Sequence, residues 1–245
     1  MSYEQRTYRR SMEPAGLTCF EVRAKESDLY ICAETDLTDA AENLLIGVRW
    51  ELESYIGTHP RFAESYVPVQ VEVDAPAIVQ QMARAAWRAN VGPMAAVAGA
   101  VAEHVARGLA EHSANVIVEN GGDVYIVGDE ERVVALWADQ PGVDLIGLRI
   151  PAGMQPVAVC TSSAKVGPSL SFGSADAVTA IAHDGALADA VVTALANTVH
   201  GAQDIPRAVE AAKLVPGVFG VLATIDGHVG AWGSIHLVPL ERPVQ

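Results

Sequence analysis

The chain has 245 residues, half of them hydrophobic and 19% charged, with a formal net charge of −14. That length and hydrophobicity can bury a large core, which excludes disorder of the chain as a whole. With three Lys in the sequence and no basic cluster, a nucleic-acid partner is not expected. Nor is a membrane partner, since no apolar run reaches spanning length.

The N-terminal stretch MSYEQRTYRRSMEPAG lacks the apolar core of a signal peptide and reads as a tail over 1–16. One folded domain is expected over 17–240. Residues 17–24 and 28–34 read as two strands around a polar KES turn. ETDLTDAAENLLIGVRWELESYIGTHP then reads as a long helix, with Asp and Thr at its start and Gly57 and Pro60 at its end. A Pro-punctuated loop over 58–75 leads to a helix in PAIVQQMARAAWRAN, and a third helix follows in PMAAVAGAVAEHVARGLAEHS. In that third helix Gly92, Ala96, Gly99 and Ala100 form a small-residue face suited to close packing.

ANVIVENGGDVYIVGDEERVVALWA predicts three strands joined by turns, and further strands are expected near 145–150 and 156–161. After a hydroxyl- and glycine-rich stretch come helices near 185–200 and 204–214, and a closing hairpin around DGH. Helices and hairpins in blocks define an α+β fold with mostly antiparallel sheet and packed helices, not a doubly wound one.

The three cysteines, Cys19, Cys32 and Cys160, are odd in number, far apart and without a CxxC pair. A disulfide or a zinc site is therefore not expected, and a cytoplasmic protein with reduced thiols is. The seven His show no HExxH or HxH spacing, and no GxSxG elbow is present, so transition-metal and serine-nucleophile chemistry have no visible ligand set.

Three segments carry polar groups inside apolar sequence. On a helix over 185–200, Asp189, Thr193, Asn197 and His200 fall on one stripe among Ala, Val and Leu. A carboxylate and a hydroxyl one turn apart can hold a hard cation such as Mg²⁺. The alternative is that Asp189 accepts nearby backbone N–H groups and Thr193 bonds back to a carbonyl. In ENGGDVYI, Gly121 and Gly122 permit positive φ in a tight turn and leave bare backbone for a ligand, flanked by Glu119, Asn120 and Asp123; an ordinary hairpin would look the same. In TSSAKVGPSLSFGSAD, the hydroxyls and glycines of Thr161, Ser162, Ser163, Ser169, Ser171 and Gly173, together with Asp176, offer short hydrogen-bonding groups for an anionic small molecule. Lys165 is a charge contact if one binds there.

VGPMAAVAGAVAEHV, VIVENGGDVYI, the stretch from Thr161 through ADAVVTALAN and the closing GVFGVLATIDGHVGAWGSI together resemble the ApbE superfamily, in its shorter uncharacterised branch, from about residue 17 to 238. The resemblance implies a tandem T-fold-like α+β architecture and a site between its halves. It implies FAD or another nucleotide as ligand and Mg²⁺ held by Asp189 and Thr193, with Gly121, Gly122 and Asp123 as the GGD element. Thr161, Ser162 and Ser163 stand at the family's TSG step. Ala98-Gly99 stands where flavin transferases carry Lys-Gly, and AKVGPSLSFGS lacks the His those enzymes have there, so FMN transfer itself is not expected. The two readings left are a Mg²⁺-dependent nucleotide or flavin enzyme and a non-catalytic binding or accessory protein. The branch is also associated with sulfur assimilation toward homocysteine in anaerobes. A homodimer is left open.

Overall fold

The computed structural model describes residues 14–136, 145–163 and 173–240. Strands β1 (Thr18–Ala24) and β2 (Ser27–Ala33) form the first hairpin. Helix α1 (Thr38–Thr58) follows, started by the Asp36 carboxylate, which accepts from the Thr38 amide at 2.9 Å. It buries Leu45, Val48, Leu52 and Tyr55, the helical spacing of one face. A single turn, α2 (Arg61–Glu64), interrupts the expected loop. Helix α3 (Ala77–Ala89) ends at Asn90 in the left-handed conformation, a conformation Asn tolerates. A 3₁₀ turn at Pro93–Ala96 leads into α4 (Val97–Leu109).

The remaining elements are β3 (Val116–Asn120), β4 (Asp123–Val127), β5 (Arg132–Leu136), β6 (Leu145–Ile150), β7 (Val157–Ser162), β8 (Ala177–Ala182), α5 (Gly185–Ala196), α6 (Ile205–Lys213), β9 (Val218–Ile225), β10 (His228–Gly233) and β11 (Leu237–Leu240). Eight strands make one sheet in the order β1-β2-β3-β4-β7-β8-β9-β10, with every neighbour antiparallel. A second antiparallel sheet has the order β11-β6-β5.

Strand periodicity of two divides the large sheet between two cores. Tyr125, Ala158, Cys160, Val178 and Ala180 face the helices. Ile126, Val157, Val159 and Ile181 point the other way, to Leu148 and Ile150 of the small sheet. Helices α1, α4, α5 and α6 each touch the large sheet, and α3 packs over α4 and α5. Asp123 is two residues from Tyr125, so the same alternation turns it toward the helices. No helix among the described residues is long and apolar enough to cross a membrane.

Four expectations are corrected. Strands β8 and β11 were not foreseen: AVTAIA is rich in Ala, a poor strand former, and becomes a strand because both neighbours bury it. The helix expected to reach residue 200 stops at Ala196, where the Thr198 hydroxyl bonds the Leu195 carbonyl. His200 is therefore exposed and off the stripe. Finally, Cys19 and Cys32 are joined in a disulfide, because the hairpin register sets them directly opposite one another. That bond removes the thiol-based argument for a reducing compartment.

A bond closing so short a loop limits the unfolded chain and contributes about 3 kcal/mol in the chain-entropy model. Reductant should therefore lower the thermal midpoint, and the intact mass before reduction should be two hydrogens lighter than after. Equal masses would show the thiols to be free.

Candidate functional site

The site begins at the crossing of α4 and α5. A Cβ placed on Gly99 would lie 2.2 Å from the Gly185 carbonyl oxygen, and one placed on Gly185 would lie 2.5 Å from the Gly99 carbonyl oxygen. The two backbones touch, as the small-residue face of α4 anticipated. This contact lets each helix cap the other. The Gly99 amide of α4 donates to Asp189 Oδ2 of α5 at 3.0 Å. The Gly185 amide of α5 donates to Glu103 Oε2 of α4 at 2.7 Å. Both amides lie in first turns, which have no intrahelical partners to offer them. Asp184 completes the start of α5 by accepting from the Leu187 amide at 3.0 Å.

The glycine hairpin arrives beside this crossing. Gly121 and Gly122 have φ of +71° and +117°, the left-handed backbone the double glycine foretold. Glu119 Oε1 accepts from the Gly122 amide at 3.2 Å, and Asn120 Nδ2 donates to the Ala98 carbonyl at 3.1 Å. The turn is thereby tied to the first residues of α4, and Asp123 enters β4 beneath them.

Asp123 is 7% exposed and Asp189 9%. Burial pushes the Asp123 carboxyl well above the usual range, and the negative charge of Asp189 pushes it further; the nearby Cys160 thiol and Thr161 amide act against both. Asp123 Oδ1 has no hydrogen-bond partner. Burial also lifts Asp189 from 3.8 to about 7, against the pull of the Gly99 and Ala98 amides. The dipole of its own helix does not offset this shift. Asp189 is past the first turn of its own helix, where that effect has faded, and desolvation dominates. The Cys160 thiol, beside both carboxylates, is raised by burial first and by their charge second.

The two carboxylates line a cavity of about 790 Å³, shared by Asp123, Asp189, Thr193 and Asn197 with Arg88 and Arg207. A second cavity of about 510 Å³ is lined by Lys25, Ser27, Arg49, Asn120, Gly121 and Asp123. Met94, Val97, Ala98 and Asp123 border both. Three of the four stripe residues, Asp189, Thr193 and Asn197, thus share one cavity with the Asp of GGD, although they come from distant parts of the chain.

The hydroxyl-rich stretch behaves differently. Thr161 Oγ1 pairs with Thr179 Oγ1 at 2.9 Å across two strands. Ser162 ends β7 and Ser163 follows it; neither is among the residues lining either cavity. Gly173 is a packing glycine, since a Cβ there would lie 1.9 Å from the Ala196 carbonyl oxygen at the end of α5. Asp176 Oδ2 accepts from the Asp226 amide at 2.7 Å and holds the β9–β10 turn, and Asp176 lines neither cavity. Lys165, Ser169 and Ser171 lie outside the described residues.

Sequence reasoning passed over Glu103, which is 6% exposed and accepts from Gln81, Gly185, Arg107 and Tyr125. The signal was present: a lone carboxylate on an apolar helical face. It also passed over Arg88, Arg207 and Cys160, whose place at the site depends on tertiary contacts.

A helix-backed antiparallel sheet, with a double-glycine hairpin and an Ala-Asp-Ala helix converging on one cavity, defines an ApbE-like protein. The chain belongs to the family described as AbpE bacteria, whose model matches residues 9–217. A UPF0280 protein of Methanocaldococcus jannaschii is 42% identical over 211 residues, covering 83% of this chain and 86% of that one. A UPF0280 protein of Methanocella arvoryzae is 36% identical over 212 residues, 86% of each. Among solved structures, the flavin transferase ApbE from Vibrio cholerae superposes with a TM-score of 0.62 at 13% identity, covering 90% of this chain and 98% of that one. The ApbE protein from Thermotoga maritima gives 0.51 at 15% identity, covering 87% and 96%. At such identities the likeness is one of fold. The association with sulfur assimilation finds no support in these relatives.

Proposed function

We propose that the larger cavity binds a phosphate-bearing nucleotide, a flavin dinucleotide first among the candidates, together with a divalent cation held by Asp189 and Thr193 with Asp123 beside them. The observation that carries this reading is the pair of buried carboxylates in one cavity, one with an oxygen left without a partner. Burying two like charges together is costly, and a cation offsets that cost. Carboxylate and hydroxyl oxygens suit Mg²⁺, which is commonly held by one or two carboxylates and completed by water and substrate phosphates.

When bound, the cation would supply positive charge to phosphate oxygens. The residues of the chain then have separate tasks. Asp189, anchored by the Gly99 amide through Oδ2, would present its carboxylate to the cation from a fixed position. Gly121 and Gly122 bring bare backbone close to Asp123. Ala98, at the wall between the cavities, carries no amine with which to contact a ligand. For that reason a binding role without FMN transfer is the second reading.

Calorimetry with FAD or ATP, each with and without Mg²⁺, tests the proposal. The wild type should bind one of them in a Mg²⁺-dependent manner, and Asp189→Ala should lose that dependence. Equal binding by both proteins, or none by either, would leave Asp189 as a helix cap alone.

A further inference from the structure

The larger cavity is polarised along its depth. Asp123 and Asp189 are buried, whereas Arg88 of α3 and Arg207 of α6 are exposed where it opens. Among the described residues lining it, Glu64 is the only other charged side chain, so two guanidiniums face one carboxylate at the opening.

Arg88 is held in place rather than left to the solvent. Its Nη2 donates to the Pro216 carbonyl. The next residue is Gly217, at φ +90°, where a Cβ would approach Nη2 to 3.0 Å. One N–H of the fork is used in this tether, and a guanidinium has five. Arg207 comes from the first turn of α6, and its charge is felt at Asp204. In a chain of net charge −14, anions are repelled at long range. An anion therefore needs local cations of this kind.

Resting on the nucleotide reading above, we infer that Arg88 and Arg207 form a clamp for a second anionic group of the ligand. The cavity would then select molecules with two anionic groups, such as the linked phosphates of a dinucleotide. One sits at the cation between the buried carboxylates and the other between the two guanidiniums. A ligand with a ring and no phosphate satisfies neither end. Guanidinium-to-phosphate contacts are charge-assisted, directional and commonly bidentate, which makes this pair the specificity-determining feature of the opening.

The test uses the full chain and FAD with Mg²⁺ as probe, titrated by calorimetry into wild type, Arg88→Gln, Arg88→Lys and Arg207→Gln. Mn²⁺ uptake without nucleotide is measured on each by electron spin resonance. Arg88→Gln and Arg207→Gln should each weaken FAD roughly ten- to a hundredfold while leaving Mn²⁺ uptake unchanged. Arg88→Lys should recover part of the loss, since Lys keeps the charge but not the fork. Riboflavin, without phosphate, should bind all four equally weakly. Thermal melts show whether loss of the Pro216 tether unfolds Arg88→Gln, and Arg207→Gln, exposed on its helix, answers independently. FAD affinity unchanged in both Gln variants, or riboflavin binding wild type as tightly as FAD, overturns the clamp but not the cation site. A wild type that takes up neither Mn²⁺ nor FAD overturns both.

Discussion

Gly99→Ala should destabilise the protein by about 3 kcal/mol or more, although Ala is the better helix former. Propensity alone favours Ala by about 1 kcal/mol in a helix interior. Here the new Cβ would lie 2.2 Å from the Gly185 carbonyl oxygen and 2.9 Å from Asp189 Cβ. The first is backbone of a helix buried between α3 and the sheet, so it cannot swing aside as a side-chain tip would. The helices must separate, and both reciprocal caps lengthen: Gly99 to Asp189, and Gly185 to Glu103. Gly47→Ala on α1 is the matched comparison, because that glycine is exposed with nothing within 4 Å of its Cβ position. It should stabilise by about 0.5–1 kcal/mol. Urea unfolding of the two variants reads the difference, and a Gly99→Ala midpoint at or above that of wild type would refute the close crossing.

The second large effect is in pH. With its carboxyl lifted from 3.8 to about 7, Asp189 binds a proton in the folded chain that the unfolded chain has already released. Its contribution to stability is thus complete below about pH 4, falls between there and about pH 7, and is flat above. The loss is on the order of 4 kcal/mol. Asp123 is shifted the same way, by burial first and by the charge of Asp189 second, and adds to the decline. The cation-free protein should therefore lose stability from pH 5 to pH 8, where many proteins are steady. Mg²⁺ should raise the melting temperature at pH 8 and do little at pH 5, since only the ionised pair attracts it. Asp189→Asn keeps an oxygen for the Gly99 amide and removes the charge. It should be more stable than wild type at pH 8, lose most of the pH slope and lose the Mg²⁺ effect. A flat wild-type profile over that range would contradict the burial of Asp189 as a strained carboxylate.

What could be read in the sequence followed from period and contrast. Leu45, Val48, Leu52 and Tyr55 announce α1 by spacing, and Gly121-Gly122 announces a turn by conformation. Asp123, Asp189 and Thr193 stood out as single polar residues in apolar runs, and the structure gathers them at one cavity. Hydroxyl content alone gave no direction at Ser162 and Ser163, because composition does not say which way a side chain faces. The Cys19–Cys32 pairing was within reach, since the hairpin was foreseen and only its register was not worked through. Asp189's partner was out of reach. The amides it caps belong to a helix 90 residues away, and its pKa is set by what surrounds it rather than by its own helix.

The strand order carries a kinetic consequence. β2 and β3 are neighbours, pairing Leu29 with Asn120, yet the whole helical block from α1 to α4 is threaded between them. The disulfide spans only 13 residues and shortens none of that path. The closure entropy of this long excursion must be met before the centre of the large sheet can zip, which gives the protein a high contact order. The hairpins β1–β2, β3–β4 and β9–β10 can each form early from local sequence. Until α4 has folded and docked, the β2 edge of the first hairpin and the β3 edge of the second stay open, and those edges are where the nascent chain is most exposed to pairing with another copy of itself.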